Sequence, residues 1–391
     1  MAKKKPKRAK RGRGEGSIHE RSDGRWVGVL DLGIGPDGKR RRRYVYGKTK
    51  AAARAALLKK QQEEATGTAV APSKVTVGEY LDQWLAKPGR TWRPATRHGY
   101  GRMVNEYLKP RIGHVGLQKL SGRDVEWAFT DMTEKGLTGG TRVYAHTVLS
   151  MALGAAVRGG LIPSNPCNAV ERNQKPRVGE QEVAFLTEEQ VRKLLRAAEG
   201  YRLFGYYYTA IYSGLRPGEM VGLRRSDVDL KRGRISVRQT VSEVGRKFHV
   251  GPPKTKKSRR VVTLPPHAVD VLRQHLARMA NEGHAGCDLV FPNERGTYLH
   301  RSSVGVQLHK ALKRAGLERI RPHDLRHTHA SLLLAKGVSP KIVSERLGHA
   351  SVVITLDRYS HVIEGLQSQA ADALDDPFGD GDRPAVLRIA R

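Results

Sequence analysis

Five side chains in the second half of the chain have the types and the order needed to act on a phosphodiester. Ser213-Gly214-Leu215-Arg216-Pro217-Gly218-Glu219 supplies one guanidinium. His323-Asp324-Leu325-Arg326-His327 supplies a second, with an imidazole three residues before it, and Leu347-Gly348-His349 brings another imidazole. Tyr359 supplies a phenol. The planar fork of an arginine gives a phosphate two parallel, charge-assisted hydrogen bonds. Attack on the phosphorus makes its two non-bridging oxygens more negative, and Arg216 and Arg326 are placed to clamp them. Loss of one such donor costs on the order of 10²–10³ in rate. Tyr359 is the candidate nucleophile. A free phenol has a pKa of about 10, so it attacks well only when a base or nearby cations help it ionise. His323, His349 and the two arginines can do both. A phosphotyrosyl bond conserves the energy of the broken ester, so resealing needs no ATP.

The flanking residues refine this reading. Gly214 and Pro217 break the helix before Arg216 and would aim it into a cleft; a surface Arg in a turn is the bland alternative. Glu219 can fix that guanidinium or a neighbouring imidazole from behind. Lys254, in Gly251-Pro252-Pro253-Lys254-Thr255-Lys256-Lys257, sits in an expected hairpin turn from which it can protonate a leaving oxygen. Lys256 and Lys257 compete with it, and spacing does not choose between them. His323 and His327 are four apart, with His329 and His349 near in sequence. However, no His-Glu-x-x-His motif occurs and no acidic ligand is well placed, so metal hydrolysis is disfavoured. No phosphate-cradling Gly-x-x-x-x-Gly-Lys-Ser/Thr loop is present either.

Several elements must position this set. The 391 residues suffice for two or three domains. An excess of 71 Lys and Arg over 38 Asp and Glu, +33 in all, implies a polyanionic partner, foremost nucleic acid. A small histone-like or ribosomal-type binder is excluded by the long amphipathic segments. Two cysteines without metal spacing fit a reducing cytosol. No run approaches a membrane span, and no apolar core follows the basic start.

Residues 1–14 read as a solvated basic tail that touches DNA phosphates. Strand-like runs at 17–20, 25–32 and 40–46 follow, separated by Ser22-Asp23-Gly24 and Gly35-Pro36-Asp37-Gly38 turns, then a helix over 50–65. Such a sheet can offer Arg40, Arg41, Arg42 and Arg43 to a groove, unless they are only a solvated hairpin. Residues 66–74 form a linker. Helices are expected at 77–85, 94–109, 122–135 and 139–158, the last with Val143, Thr147, Met151, Leu153 and Ala156 on its apolar face. A second linker covers 171–184. Beyond it, Thr187-Glu188-Glu189-Gln190 opens a helix and an aromatic helix spans 201–212, its tyrosines Tyr201, Tyr206, Tyr207, Tyr208 and Tyr212 read as core. Strands are expected at 234–241, 247–251 and 259–264, and helices at 266–282, 302–315, 323–336 and 340–347. The acidic stretch from about 364 reads as a mobile tail that could mask the basic site or dock on a neighbour.

Arg216, Lys254, His323-x-x-Arg326, Leu-Gly-His349 and Tyr359, in this order and with a ten-residue step from His349 to Tyr359, resemble the tyrosine recombinase family. Leu356-Asp357-Arg358-Tyr359-Ser360-His361 is similar to the integrases of temperate phages and integrative elements, lambda-integrase-like and of actinobacterial type. The resemblance implies an α+β, mostly α fold. An arm-type DNA-binding domain with a three-stranded sheet and one helix would cover 15–65, and an all-α core-binding domain 75–170. A mainly helical catalytic domain with a small antiparallel sheet would cover 185–365, followed by a tail over 366–391. It also implies the mechanism. Tyr359 attacks one strand, a 3′-phosphotyrosyl linkage forms, and a 5′-hydroxyl of the partner duplex reverses the step. Arg216 and Arg326 hold the phosphate, His349 hydrogen-bonds it, Lys254 is the general acid and His323 aids proton transfer. Four protomers would act on two duplexes through a Holliday junction in a bacterial cytoplasm, near the nucleoid, with accessory DNA-bending or directionality proteins and no metal or other cofactor. A topoisomerase-like relaxer, a chromosome-dimer resolvase and a non-catalytic regulator on the same fold are the other readings. The separate sheet domain weighs against the resolvase, and the intact site against the regulator.

Overall fold

The computed structural model describes residues 16–34, 38–65, 70–87, 89, 91–179, 184–253 and 256–364, with the backbone alone for 256 and 360–364. The expected basic and acidic tails, part of the Gly35–Gly38 turn, and Lys254 lie outside the described residues. The chain divides into two compact units, Met1–Gly179 and Glu180–Arg391.

The first unit opens with an antiparallel sheet, β1 (Ser17–Glu20), β2 (Trp26–Ile34) and β3 (Arg40–Gly47), in that spatial order. Helix α1 (Lys50–Ala65) packs on one face. It can approach closely because Gly28 has no side chain: a Cβ there would lie 2.7 Å from Val45 and 3.3 Å from Leu57. Ala53 and Leu57 are the buried residues of α1. Strand alternation then divides the arginine run. Arg43 turns toward α1 and pairs with Glu64 at 3.2 Å, and Arg41 shares its parity. Arg40 and Arg42 project from the open face with Tyr44 and Tyr46, which are 52% and 56% exposed.

The rest of this unit is helical: α2 (Val77–Ala86), α3 (Pro94–Arg102), α4 (Lys109–Ile112), α5 (Gly122–Glu134) and α6 (Gly139–Arg158). Capping boxes at Thr76/Glu79 and Ser121/Asp124 start α2 and α5. The single helix expected over 94–109 instead extends to Ile112, with a wider π-type stretch over Met103–Leu108 between α3 and α4. The buried face of α6 is Ala145, Val148, Leu149, Ala152, Leu153 and Ala156, which includes Leu153 and Ala156 of the face read from the sequence but not its Val143, Thr147 and Met151. Met151 faces outward, 38% exposed. Its sulfur lies 3.9 Å from the Tyr100 hydroxyl.

The second unit holds α7 (Glu188–Ala198), α8 (Phe204–Ser213), α9 (Pro217–Val221), β4 (Val228–Asp229), β5 (Arg234–Val237), β6 (Thr240–Val244), β7 (Lys247–Gly251), β8 (Arg260–Thr263), α10 (Pro266–Met279), α11 (Arg301–Arg314), α12 (Asp324–Ala335), α13 (Pro340–Leu347) and α14 (Val353–Glu364). The expected 234–241 strand is two strands in two sheets: β5 lies between β4 and β8, while β6 pairs with β7. Tyr206 and Tyr207 are core residues, the Tyr207 hydroxyl donating to the Val304 carbonyl at 3.0 Å. Tyr201, Tyr208 and Tyr212 are only partly buried, and the Tyr208 hydroxyl lies 3.0 Å from His267 Nδ1. Helix α14, which carries Tyr359, was not read from the sequence, because its start, Val352-Val353-Ile354-Thr355, is a β-branched run with no helical preference.

Candidate active site

Two helix ends and two helix starts build the site. Helix α8 stops at Gly214, whose φ of 65° a side chain would disfavour. A Cβ there would also lie 2.5 Å from the ring of buried His329. The chain then turns into α9. Arg216 is the N-cap, Pro217 the first helical residue, and the Glu219 carboxylate accepts from the Arg216 backbone N–H at 2.9 Å. Helix α13 ends the same way as α8, at Gly348 with φ 67°, and the His349 N–H closes back on the Ser344 carbonyl at 3.0 Å. Helix α12 starts at His323. Asp324 secures that start by accepting from the Arg321 backbone at 2.7 Å and from its guanidinium.

These ends hold the guanidiniums. Arg216 Nη1 donates to Glu219 Oε1 at 3.0 Å, and its Nη2 to the Gly348 carbonyl at 3.0 Å. Arg326, 3% exposed, donates from Nη1 to the Gly214 carbonyl and from Nη2 to the Leu347 carbonyl, both at 2.7 Å. Among the described residues each guanidinium makes two hydrogen bonds, which orient it while using only some of its five N–H groups. Burial pulls Arg326 down to about 9, with the positive Arg216 and Arg260 adding to the fall and Glu219 opposing it. Glu219 shows the reverse balance. Burial alone would raise it, but hydrogen bonds and charge from Arg260 and Arg216 hold it below the ordinary carboxylate value.

The nucleophile candidate is enclosed. Tyr359 is 1% exposed and packs in a small cluster with Ala330, Leu334, Val343 and Leu347. Its backbone (φ −125°, ψ 21°) departs from helical values within α14. Burial pushes the phenol up to about 12, against the pull of Arg326 and Arg358. Its hydroxyl lies 2.6 Å from His327 Nδ1. His327 in turn meets His323 edge to face, with ring centroids 5.0 Å apart. His349 Nδ1 lies 2.8 Å from the buried Thr355 hydroxyl. Burial, reinforced by positive and imidazole neighbours, takes His323 and His327 to about 4 and His349 to about 3, so all three are neutral near pH 7.

The structure thus brings Arg216, Glu219, Arg326, His349 and, through His327, Tyr359 and His323 to one locality built on α8, α9, α12, α13 and α14. Lys254 and the Lys256 side chain lie outside the described residues. Their segment does reach the site: Lys257 Nζ donates to the Ala350 carbonyl at 2.8 Å, and a Cβ on Gly348 would lie 3.0 Å from the Lys257 carbonyl. Arg40 to Arg43 belong to the first unit. Among the described residues no group of His, Cys, Asp and Glu could hold a metal ion. Sequence reading missed two members. His327 was weighed only as a metal ligand, although it adjoins Arg326. Arg260, whose signal was only its place in a basic run, is paired with Glu219.

Comparison with known proteins decides the family. Residues 184–365 match the phage integrase family, and residues 76–127 match the N-terminal SAM-like domain of phage integrases. A putative prophage phiRv2 integrase of Mycobacterium tuberculosis is 31% identical, over 92% of this chain and 94% of its own length. The chain belongs to the phage integrase family of tyrosine recombinases. It is a site-specific recombinase. Two solved structures share the fold. The Tn1549 transposon integrase in complex with transposon right end DNA aligns with a TM-score of 0.67 at 20% identity, covering 77% of this chain and 99% of that one. A lambda integrase tetramer bound to a Holliday junction aligns with a TM-score of 0.54 at 18% identity, covering 90% and 96%. No described helix is long and apolar enough to cross a membrane.

Proposed function

We propose that this integrase cuts and rejoins DNA through Tyr359, forming a 3′-phosphotyrosyl bond while a 5′-hydroxyl leaves, so that a mobile element is integrated or excised. The observation that carries the assignment is the placement of the Tyr359 hydroxyl 2.6 Å from an imidazole, on a helix packed against the one that bears Arg326. Arg216 and Arg326 hold the two non-bridging oxygens, His349 adds a hydrogen bond, and His323 aids proton transfer. Neutral His327 holds the phenol in register. Lys254 is the general acid, with Lys256 its competitor. Because Tyr359 is enclosed, attack requires α14 to open, with its non-helical residue as the hinge. The reaction needs no metal.

Residues 185–365 carry the chemistry, 75–170 grip the core site, and 15–65 bind distal arm sites through the open sheet face that carries Arg40 and Arg42, whereas Arg41 and Arg43 lie on the helix side of the sheet, Arg43 paired with Glu64. Lys256 and Lys257 add phosphate contacts. A tetramer on two duplexes, in the host cytoplasm at the nucleoid, is the working assembly, and accessory proteins set direction.

The test is a tiled set of nicked duplexes drawn from the DNA adjoining the coding sequence, incubated with the full chain. A denaturation-resistant adduct that disappears in Tyr359→Phe, mapped to Tyr359 by mass spectrometry, supports the reading. Binding without an adduct on any duplex, or linkage to another residue, overturns it.

A further inference from the structure

The last three carbonyls of the α13 terminus each accept from a different arginine. The Arg346 carbonyl accepts from Arg260 Nε at 2.6 Å, the Leu347 carbonyl from Arg326 Nη2 at 2.7 Å, and the Gly348 carbonyl from Arg216 Nη2 at 3.0 Å. Helix C-terminal carbonyls lack intrahelical partners and carry partial negative charge. Here they form a fan that sets the angle of three cations. Only two of those arginines belong to the mechanism above. The third, Arg260, faces the protein. It donates to Glu219 Oε1 at 3.2 Å and Oε2 at 2.9 Å, to the Ser258 carbonyl at 3.2 Å, and to Arg346, and its side chain is 7% exposed. Its hydrogen bonds are thus spent on the protein.

We propose that Arg260 is a positioning residue for strand cleavage, acting through Glu219 on Arg216 and through the α13 carbonyl fan on the spacing between Arg216 and Arg326. The geometry requires this coupling. Glu219 has two carboxylate oxygens shared between two guanidiniums, and Arg260 takes one contact from each. The Arg216 side chain keeps Oε1 and its backbone N–H keeps Oε2. Without Arg260 the carboxylate can rotate toward Arg216 alone, and the guanidinium follows it away from the phosphate. The Arg346 carbonyl is released in the same step, one residue before the carbonyl that orients Arg326. Arg260 stands at the start of β8, where its backbone is fixed by pairing with Val237, so it is a rigid strut from sheet to helix.

This inference rests on the reading that Arg216 and Arg326 hold the scissile phosphate, and the experiment separates the two. Single-turnover adduct formation is measured at saturating duplex for wild type, Arg260→Met and Arg260→Lys. Two nicked duplexes are used, one with the normal phosphodiester and one with a neutral methylphosphonate at the scissile position. Misplacement of a catalytic group by ~1 Å costs about 10²-fold. Arg260→Met is therefore expected to lose on the order of 10²-fold on the phosphodiester, with duplex affinity nearly unchanged, and Arg260→Lys to recover part of it. On the methylphosphonate, where one non-bridging charge is gone and exact arginine placement matters less, the loss shrinks to within about threefold in at least one stereoisomer. Equal losses on both duplexes mean Arg260 is merely structural and overturn the proposal, as does an unimpaired Arg260→Met. If Arg260→Met does not fold, the same ratio read on Arg260→Lys decides. Absence of any wild-type adduct would instead sink the proposed function itself.

Discussion

Replacing His327 by Phe tests the link between the phenol and its neighbours. The substitution keeps an aromatic ring against His323 and removes the only nitrogen within hydrogen-bond distance of the Tyr359 hydroxyl among the described residues. Two costs follow. The phenol, 1% exposed, loses a 2.6 Å partner and cannot reach water. A buried hydroxyl left without a bond costs about 1–3 kcal/mol. For a unit of this size each kcal/mol moves Tm by roughly 2–4 °C, so a fall of about 2–12 °C is expected by calorimetry. The second cost is kinetic. In the proposed mechanism the imidazole holds the attacking oxygen at a fixed angle, and about 1 Å of slack is worth on the order of 10²-fold. Single-turnover adduct formation on a nicked duplex should therefore fall by about that factor, while duplex affinity stays within about threefold, because His327 is buried and offers DNA no surface. His327→Gln, which can still pair with the phenol, should retain most of the rate. A His327→Phe protein as fast as wild type would refute the assignment of His327, whatever its Tm.

Further outcomes follow from the same geometry. Glu219→Gln leaves two guanidiniums facing an amide, and breaking a buried pair of this kind costs about 3–5 kcal/mol. A Tm drop on the order of 10 °C together with loss of adduct is expected, and an unchanged melting curve would contradict the pairing. His275, His323, His327, His329 and His349 are all held well below the ordinary imidazole value, chiefly by burial. Each is neutral when folded and charges on unfolding, so stability is lost as pH falls from about 6.5 toward 4. The slope is roughly 1.4 kcal/mol per pH unit per histidine, and urea midpoints that stay level from pH 7 to 5 would contradict it. Gly348→Ala forces a side chain into φ 67°, at roughly 1–2 kcal/mol, and its Cβ meets the Lys257 carbonyl at 3.0 Å. Adduct formation should fall because the Gly348 carbonyl that orients Arg216 must move. Duplex affinity should drop steeply with salt through counterion release, and a level response would refute the reading of the +33 charge.

Much of the layout was legible because local signals agreed. Lys50–Ala65 is rich in strong helix formers and appears with those bounds. Thr187 and Gln190 form the expected capping box. The departures have physical causes. In α6 both faces are small and apolar, so periodicity alone could not choose between Val143–Met151 and the buried Ala145–Ala152 face. The 234–241 run reads as one strand because nothing in it marks the change of sheet after Val237; the register is set by partners far away in sequence. The catalytic types were legible as motifs, yet His327 and Arg260 were not, since their meaning lies in what they touch across 32 and 41 residues.

The charge state of the resting site explains why such contacts are needed. Three arginines converge on one helix end with a single carboxylate, Glu219, between two of them. Burial already pulls the proton affinity of Arg326 down to about 9, while the imidazoles stay neutral and the phenol keeps its proton up to about 12. With one carboxylate for three guanidiniums the site carries net positive charge, oriented by the carbonyl dipoles of a helix end. In the proposed mechanism a phosphodiester brings one negative charge, and the pentacoordinate state brings a second as the phenol proton leaves. Compensation is then greatest at the point where the barrier lies. A pocket with enough acidic side chains to neutralise its arginines at rest would bind them more tightly and accelerate the reaction less.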